Sequence, residues 1–352
     1  MTHSTVCPAC DAGTPIAVGQ VSGYVEGLEY EIGACDFCGS QTALTTHPIP
    51  EGLYEAIYTN ASELHGYSRY VRHALMVERA RYPLYMLATM EPAYWAVRSI
   101  LHQRRRDDQG TRVLEVGSGL GYITAALRAA GFDATGVDLS AQATAEATRR
   151  FGSWYRTGDV TDPKTLNGAY DVVVGLEILE HVGAPRELVR GLLPLLTANG
   201  EVVVSTPNRD QYRSDTLWAT DLPPVHLHWF SELGMRSLCP PGARAELFDF
   251  TAYNHRFGWP SDLRARSGRG RAFLDESLAL TDPIPQATLP PWYRRAKHHP
   301  ASYPLVVGTH RMRETVRSLQ DLRKPHRKAI IQYRTSAIVA RYSNSLGSSV
   351  AD

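Results

Sequence analysis

The chain has 352 residues, 43% of them hydrophobic and 21% charged, with a net charge of +1. This is an ordinary globular balance, sufficient for two or three domains around a buried core. No apolar run approaches the roughly 18 residues of a membrane span, and the start MTHSTVCPAC lacks the basic opening and apolar stretch of an export signal, so the expectation is a cytosolic protein with no membrane span.

Four of the five cysteines come first, as Cys7-Pro8-Ala9-Cys10 and Cys35-Asp36-Phe37-Cys38, with 24 residues between the pairs. In a reducing compartment two such knuckles predict a tetrahedral thiolate site for a structural zinc ion. Gly39 lets the backbone fold over the sulfurs, and Val21 to Ile32, with Tyr24 and Tyr30, has short-strand composition. A zinc-ribbon-like module over 1–48 is therefore expected, with a redox dithiol pair or disulfides as the alternative. Its few basic residues make it a poor nucleic-acid reader, so it is read first as a staple for a segment too small to bury enough apolar area, and second as a substrate-docking module. Cys239, beside Pro240, reads as a packing residue.

A helical, aromatic-rich lead-in is expected over 49–108: Tyr54, Ile57 and Tyr58, then Gly66 to Tyr70, then Pro83 to Ile100, ending in the charged stretch His102 to Asp108. Next, Val113, Leu114 and Val116 form a buried strand that carries Glu115 and turns through Gly117-Ser118-Gly119-Leu120-Gly121 into a helix opened by Tyr122. Glycine alone lets a ligand lie that close to a turn, which marks a nucleotide-type cofactor site. A dinucleotide turn wants glycines at the first, third and sixth positions, and the sixth here is Tyr122, so NAD is disfavoured. Asp138, 17 positions after Gly121, can accept hydrogen bonds from both ribose hydroxyls.

Further strands are expected over Tyr155 to Val160, Tyr170 to Glu177 and Glu201 to Asn208, with a helix over Arg186 to Leu196. This alternation predicts a parallel sheet covered on both faces, a core spanning 109–257. Glu246 to Thr251 alternates like a sixth strand, and Ser336 to Tyr342 like an antiparallel seventh at the start of the closing 335–352 segment, whose tail after Tyr342 reads as disordered. Between them, Gly258 to Arg334 carries 15 Lys+Arg against 6 Asp+Glu, leaving 22 against 30 elsewhere. A basic 258–334 lobe on an acidic body favours an anionic acceptor, with a solvated helix face over His310 to Lys328 as the plainer explanation.

Glu-x-Gly-x-Gly-x-Gly at one strand end, followed by an acid at the next, resembles the class I S-adenosylmethionine (SAM) methyltransferases. The resemblance implies a doubly wound, Rossmann-like seven-stranded α/β sheet, here with an N-terminal zinc ribbon and a basic insertion before the last strand. It places SAM on Glu115, Gly117, Ser118, Gly119, Gly121, Tyr122, Asp138, Leu139, Asp159, Val160 and Glu177, with Asp159 beside the adenine amine. By analogy Tyr67 and Arg69 hold the SAM carboxylate; aromatic packing plus a solvated arginine is the alternative. The cysteine module is similar to zinc-binding domains attached to some bacterial sugar methyltransferases.

Glu177-Ile178-Leu179-Glu180-His181 and Asp221 to Phe230 resemble the corresponding segments of ubiquinone-biosynthesis O-methyltransferases. On that basis His181 or His228 is the expected proton acceptor, with Glu180 orienting the imidazole. Glu-x-x-Glu-His plus a later histidine also resembles the magnesium-type site of small-RNA 2′-O-methyltransferases, for which Glu177, Glu180, His181 and His226 supply the ligand types. Glu180 and His181 could instead simply cap the following helix. The expected function is O-methylation of a small or sugar-like anionic metabolite in biosynthesis. The alternatives are N- or C-methylation, an RNA acceptor, or a catalytically silent adaptor using the zinc ribbon. Oligomeric state is left open.

Overall fold

The computed structural model describes residues 6–45, 47–104, 110–160, 162, 165–166, 168–211, 220–257, 272–290, 293 and 337–344. The helix expected over 310–328, the tail beyond Asn344 and most of the basic lobe lie outside these residues, while Ser343 and Asn344, read with the disordered tail, end the last strand.

The chain opens with three strands, β1 (Pro15–Ser22), β2 (Glu29–Cys35) and β3 (Gln41–Ala43), which form an antiparallel meander behind the two cysteine knuckles. Four lead-in helices follow: α1 (Leu53–Asn60), α2 (Ser68–Val77), α3 (Pro83–Met90) and α4 (Pro92–Arg104). α3 and α4 both start on prolines, whose fixed φ suits a first turn.

The α/β core then runs β4 (Arg112–Val116), α5 (Tyr122–Ala129), β5 (Asp133–Asp138), α6 (Ala141–Phe151), β6 (Tyr155–Thr157), β7 (Tyr170–Leu176), α7 (Pro185–Leu192) and β8 (Leu196–Pro207). After β8 come β9 (His228–Trp229), α8 (Glu232–Ser237), β10 (Ala243–Leu247), α9 (Thr251–Phe257) and β11 (Ala337–Asn344). The main sheet has seven strands in the order β10-β11-β8-β7-β4-β5-β6. β11 runs antiparallel to both neighbours, while β8, β7, β4, β5 and β6 are mutually parallel. β4 and β7 are buried along nearly their whole length, as their largely apolar sequences require of central parallel strands.

The expected doubly wound, seven-stranded sheet is present. Some boundaries move for local reasons. The stretch read as a sixth strand over 246–251 ends at Leu247, because the Asp249 carboxylate accepts the Thr251 N–H at 2.7 Å and starts α9 there. The Phe248/Phe250 alternation is a ring contact at 5.0 Å across that turn. The helix read to Leu196 stops at Leu192, passing through a 3₁₀ turn into β8.

The cysteine sheet is completed by the core. β9 pairs antiparallel with β3, with Gln41 opposite Trp229 and Thr42 opposite His228, so the small sheet runs β1-β2-β3-β9. The four cysteines belong to the same apolar cluster as Leu114, Val116, Phe230 and Met235. A second seam packs Tyr24, Val25, Leu53, Ile57, Leu222 and Val225 around Leu274. Leu274 lies in the described part of the basic lobe, and that part hydrogen-bonds the meander through Phe273 N to Tyr24 O at 2.9 Å.

Candidate active site

The site lies at the carboxyl ends of β4, β5, β7 and β8, where the strand-to-helix turns of an open parallel sheet converge. Gly117, Gly119 and Gly121 all have positive φ, at 70°, 46° and 77°. A Cβ on Gly117 would lie 2.6 Å from Ile178 Cγ2, and one on Gly121 2.5 Å from Ala147 Cβ. Glycine is therefore required by backbone conformation and by space together. Asp138 Oδ2 accepts the Gly119 N–H at 2.8 Å and Oδ1 accepts the Ser140 N–H at 2.9 Å, so the carboxylate is pinned beside the turn. The next residue, Leu139, is 76% exposed, an apolar surface open at the site's edge. Ser118 is buried with its hydroxyl unpartnered, Val160 is buried and Asp159 is exposed just past β6.

Two expected cofactor residues are held by bonds within the protein. Glu115 Oε2 accepts from Thr124 N at 2.7 Å and from the Thr124 hydroxyl, tying β4 to α5. Tyr122 is buried with its hydroxyl 2.6 Å from that of Tyr94, in a ring cluster with His73. Both support the turn from behind.

The lead-in roofs the site. Tyr58 stands over the turn, where a Cβ on Gly119 would come within 3.4 Å of its hydroxyl. Its role was hidden in the sequence, where it read as one helix aromatic among several. Arg69 Nη2 donates to the Tyr70 hydroxyl at 2.6 Å and its guanidinium lies 4.6 Å over the Tyr70 ring. Tyr70, Glu91 and Glu177 hold its charge in place, and Arg69 in turn acts on Asp221 and His226. Tyr67 is half-buried and packs edge-on against Tyr70.

On the opposite side, the first residue past β7 is Glu177, a non-glycine residue at φ 54°. Such a conformation persists only where its surroundings enforce it, here Ser205, whose hydroxyl donates to Glu177 Oε1 at 2.8 Å while its carbonyl accepts the Glu177 N–H at 3.1 Å. Burial pushes the Glu177 carboxyl up to about 7, against the pull of Arg69. Glu180 is fully buried with neither carboxyl oxygen hydrogen-bonded, and burial with the neighbouring Glu177 holds it well above the usual carboxylate range. His181 Nδ1 donates to Val225 O at 2.6 Å, which leaves the lone pair on Nε2. The His226 ring stands edge-on to His181 at 4.6 Å, with its own Nδ1 unpartnered. Ligand atoms of Glu180, His181 and His226 all lie within 4.8 Å of one another. Burial drives both imidazoles down to about 3.

His228 is placed differently. Its Nδ1 lies 2.9 Å from the Thr42 hydroxyl across the β3–β9 seam and its Nε2 donates to Val182 O at 3.0 Å, so both ring nitrogens are engaged. The structure thus brings together Glu177, Glu180, His181 and His226, with His228 one layer behind.

The four cysteines converge within 4.8 Å of one another, with Cys7 and Cys38 sulfurs 3.8 Å apart and Cys10 and Cys35 3.6 Å apart. A disulfide needs about 2.05 Å. Four zinc–sulfur bonds of about 2.3 Å in a tetrahedron put the sulfurs about 3.8 Å apart, so the donor set fits a zinc ion.

The buried groups set the pH dependence of stability in the metal-free protein. Glu115, pushed up by burial to about 8 from 4.5, keeps its proton on folding, which favours the folded state less as pH rises through that interval. His73 and His228, pushed down by burial to about 3 and about 4 from 6.5, favour it less as pH falls below 6.5. With two histidines set against one glutamate, the melting temperature is expected to rise towards about pH 6.5 and to fall above it. A melting temperature that climbs steadily to pH 9 in calorimetry would contradict these assignments.

The methyltransferase-domain family matches residues 90–252. The ubiquinone biosynthesis O-methyltransferase of Bordetella avium is 39% identical over 109 residues, 29% of this chain and 45% of that protein. Its counterpart in Aromatoleum aromaticum is 33% identical over 110 residues, 29% of this chain and 46% of that protein. The chain thus spans less than half the length of these curated relatives. Among solved structures, the plantazolicin methyltransferase BpumL in complex with SAH gives a TM-score of 0.38 at 12% identity, covering 83% of this chain and 97% of that one. The sugar N-methyltransferase KedS8 from Streptoalloteichus gives 0.35 at 17% identity, covering 45% and 80%. Among the described residues no helix is long and apolar enough to cross a membrane. The glycine turn, the strand-end Asp138 and six of the seven strands of the main sheet thus fall within the segment 90–252 that is similar to the methyltransferase-domain family.

Proposed function

We propose that the protein is a SAM-dependent O-methyltransferase acting on a small or sugar-like hydroxyl compound, with zinc held by Cys7, Cys10, Cys35 and Cys38. The observation that carries the reading is the glycine turn with Asp138 clamped beside it, whose Gly117 lies against Ile178 of the loop that carries Glu177, Glu180 and His181. SAM supplies an electrophilic methyl group, so the chain has to bind it, align the acceptor and take the acceptor's proton. Asp138 is suited to the ribose hydroxyls and Leu139 to a face of the adenine. His181 Nε2 is the acceptor for the proton, its tautomer set by Val225 O. An anionic group on the substrate is supported by the basic composition of 258–334 and by Arg69, the cation among the acids Glu91, Glu177 and Asp221.

One observation favours a second reading. A general base works best with a pKa near the operating pH, and the His181 and His226 imidazoles are held down to about 3. Neutral imidazoles beside an unpartnered buried carboxyl suit a divalent cation that would lower the acceptor hydroxyl's pKa.

Equilibrium dialysis tests the cofactor placement: Asp138→Ala should lose about 1–3 kcal/mol of SAM binding, roughly 5- to 150-fold, and parental affinity would move the cofactor elsewhere. Labelled SAM with candidate acceptors separates the two readings. Loss of about 10²- to 10⁴-fold in rate on His181→Ala, insensitive to chelator, supports the base. Collapse in chelator with recovery on adding manganese or magnesium supports the cation.

A further inference from the structure

The four-cysteine sheet is joined to the acceptor face by a short and specific set of bonds. The loop 177–183, which carries Glu177, Glu180 and His181, is stitched to the loop 221–230, which carries Asp221 and His226. Glu180 O accepts the Leu227 N–H at 2.7 Å, and Val225 O accepts from His181 at 2.6 Å. Val182 O accepts from His228 Nε2 at 3.0 Å. The second loop is in turn a strand on β3: Ala43 N donates to Leu227 O at 2.9 Å, and the Thr42 hydroxyl meets His228 Nδ1 at 2.9 Å. Four residues upstream of Thr42, the carbonyl of Cys38 accepts from the Ser231 hydroxyl, and Ser231 N donates to the Ser40 hydroxyl at 3.1 Å.

The protonation pattern is determined. A carbonyl only accepts, so His228 carries its proton on Nε2 towards Val182, which leaves Nδ1 to accept from the Thr42 hydroxyl, itself also 3.3 Å from Leu227 O. The relay Thr42–His228–Val182 therefore spans from the cysteine sheet, through the second loop, to the first. The cofactor turn is held by Asp138 and by its α6 neighbour Ala147, and it touches the first loop where Ile178 lies against Gly117.

We propose that Thr42 and His228 are positioning residues through which the metal-loaded cysteine sheet fixes the spacing between the Glu180–His181 loop and the His226 loop, leaving cofactor binding independent of it. The proposal rests on the assignment of these loops to the acceptor side. The cysteine sheet then acts as an integral wall of the catalytic centre, and metal occupancy becomes a condition for an ordered acceptor face.

The experiment uses the full chain with its metal content measured. Amide hydrogen exchange is followed in 177–183 and 221–230 and, as reference, in 113–121 and 133–138, alongside SAM affinity by dialysis. Thr42→Val keeps the side chain's shape and removes the hydroxyl. It should raise exchange at least 10-fold in the two loops, leave the reference segments unchanged and keep SAM affinity within twofold. Thr42→Ser, which keeps the hydroxyl, should restore protection. Unchanged loops, a uniform rise in all four segments, or no rescue by serine would each overturn the proposal. If Thr42→Val does not fold, releasing the metal from the wild-type protein with a thiol reagent should produce the same split, and intact protection of both loops after release would overturn it. Failure of the functional reading would show separately, as a wild-type chain that does not bind SAM.

Discussion

Gly117→Val is expected to abolish SAM binding in a chain that still folds. The backbone at Gly117 sits at φ 70°, where a β-branched residue is strained by about 1–3 kcal/mol. Its Cβ would lie 2.6 Å from Ile178 Cγ2, and overpacking of that kind costs a further 1–3 kcal/mol or so. The turn escapes both by rotating, which carries Ser118 and Gly119 away from Asp138 and breaks the 2.8 Å bond that holds the carboxylate in place. Affinity measured by calorimetric titration should fall by at least about 100-fold, at or beyond the upper end of the loss expected for Asp138→Ala. Binding at parental strength would show that the ligand does not use this turn.

Cys38→Ser should release the metal altogether. Structural zinc sites carry apparent binding free energies of about 10–16 kcal/mol, and a site with three thiolates keeps little of that. Elemental analysis should fall from one zinc per chain to none. The meander has little to fall back on, because β1 exposes most of its length and the four thiols are the apolar centre of the knuckles. Loss of strand signal in circular dichroism should accompany loss of zinc, while SAM binding persists. A Cys38→Ser chain that retained full zinc would overturn the four-cysteine assignment.

What the sequence made legible was what local pattern encodes. Three glycines at fixed offsets after an apolar run define a turn whatever surrounds them, and unbroken Val/Leu runs such as Val172-Val173-Val174 demand a central parallel strand. The four cysteines were legible because their chemistry needs proximity that their spacing permits. Long-range pairing was not. β9 is two residues long and carries no periodicity, and its partner β3 was read within a separate module. His228 looks the same in a sequence whether its nitrogens are free or, as here, held by Thr42 and Val182. Glu115 reads as a strand-end acid, and the sequence does not show that Thr124, at the start of the next helix, donates to it. Phe248 and Phe250 alternate as strand residues would, and Asp249 between them starts a helix instead.

The β3–β9 pairing also sets an order of events during synthesis. Thr42 and His228 are 186 positions apart. At about 5–20 residues per second, β3 waits roughly 10–40 s after leaving the ribosome before its partner is made. During that interval the knuckles can load metal, but the meander presents an open strand edge to whatever else is nearby. The nascent chain is then most exposed to mispairing with another copy, and slower translation between 43 and 228 would lengthen the exposure. Cutting the chain after the meander would make that edge permanent on one fragment and strand the acceptor loop without its wall on the other.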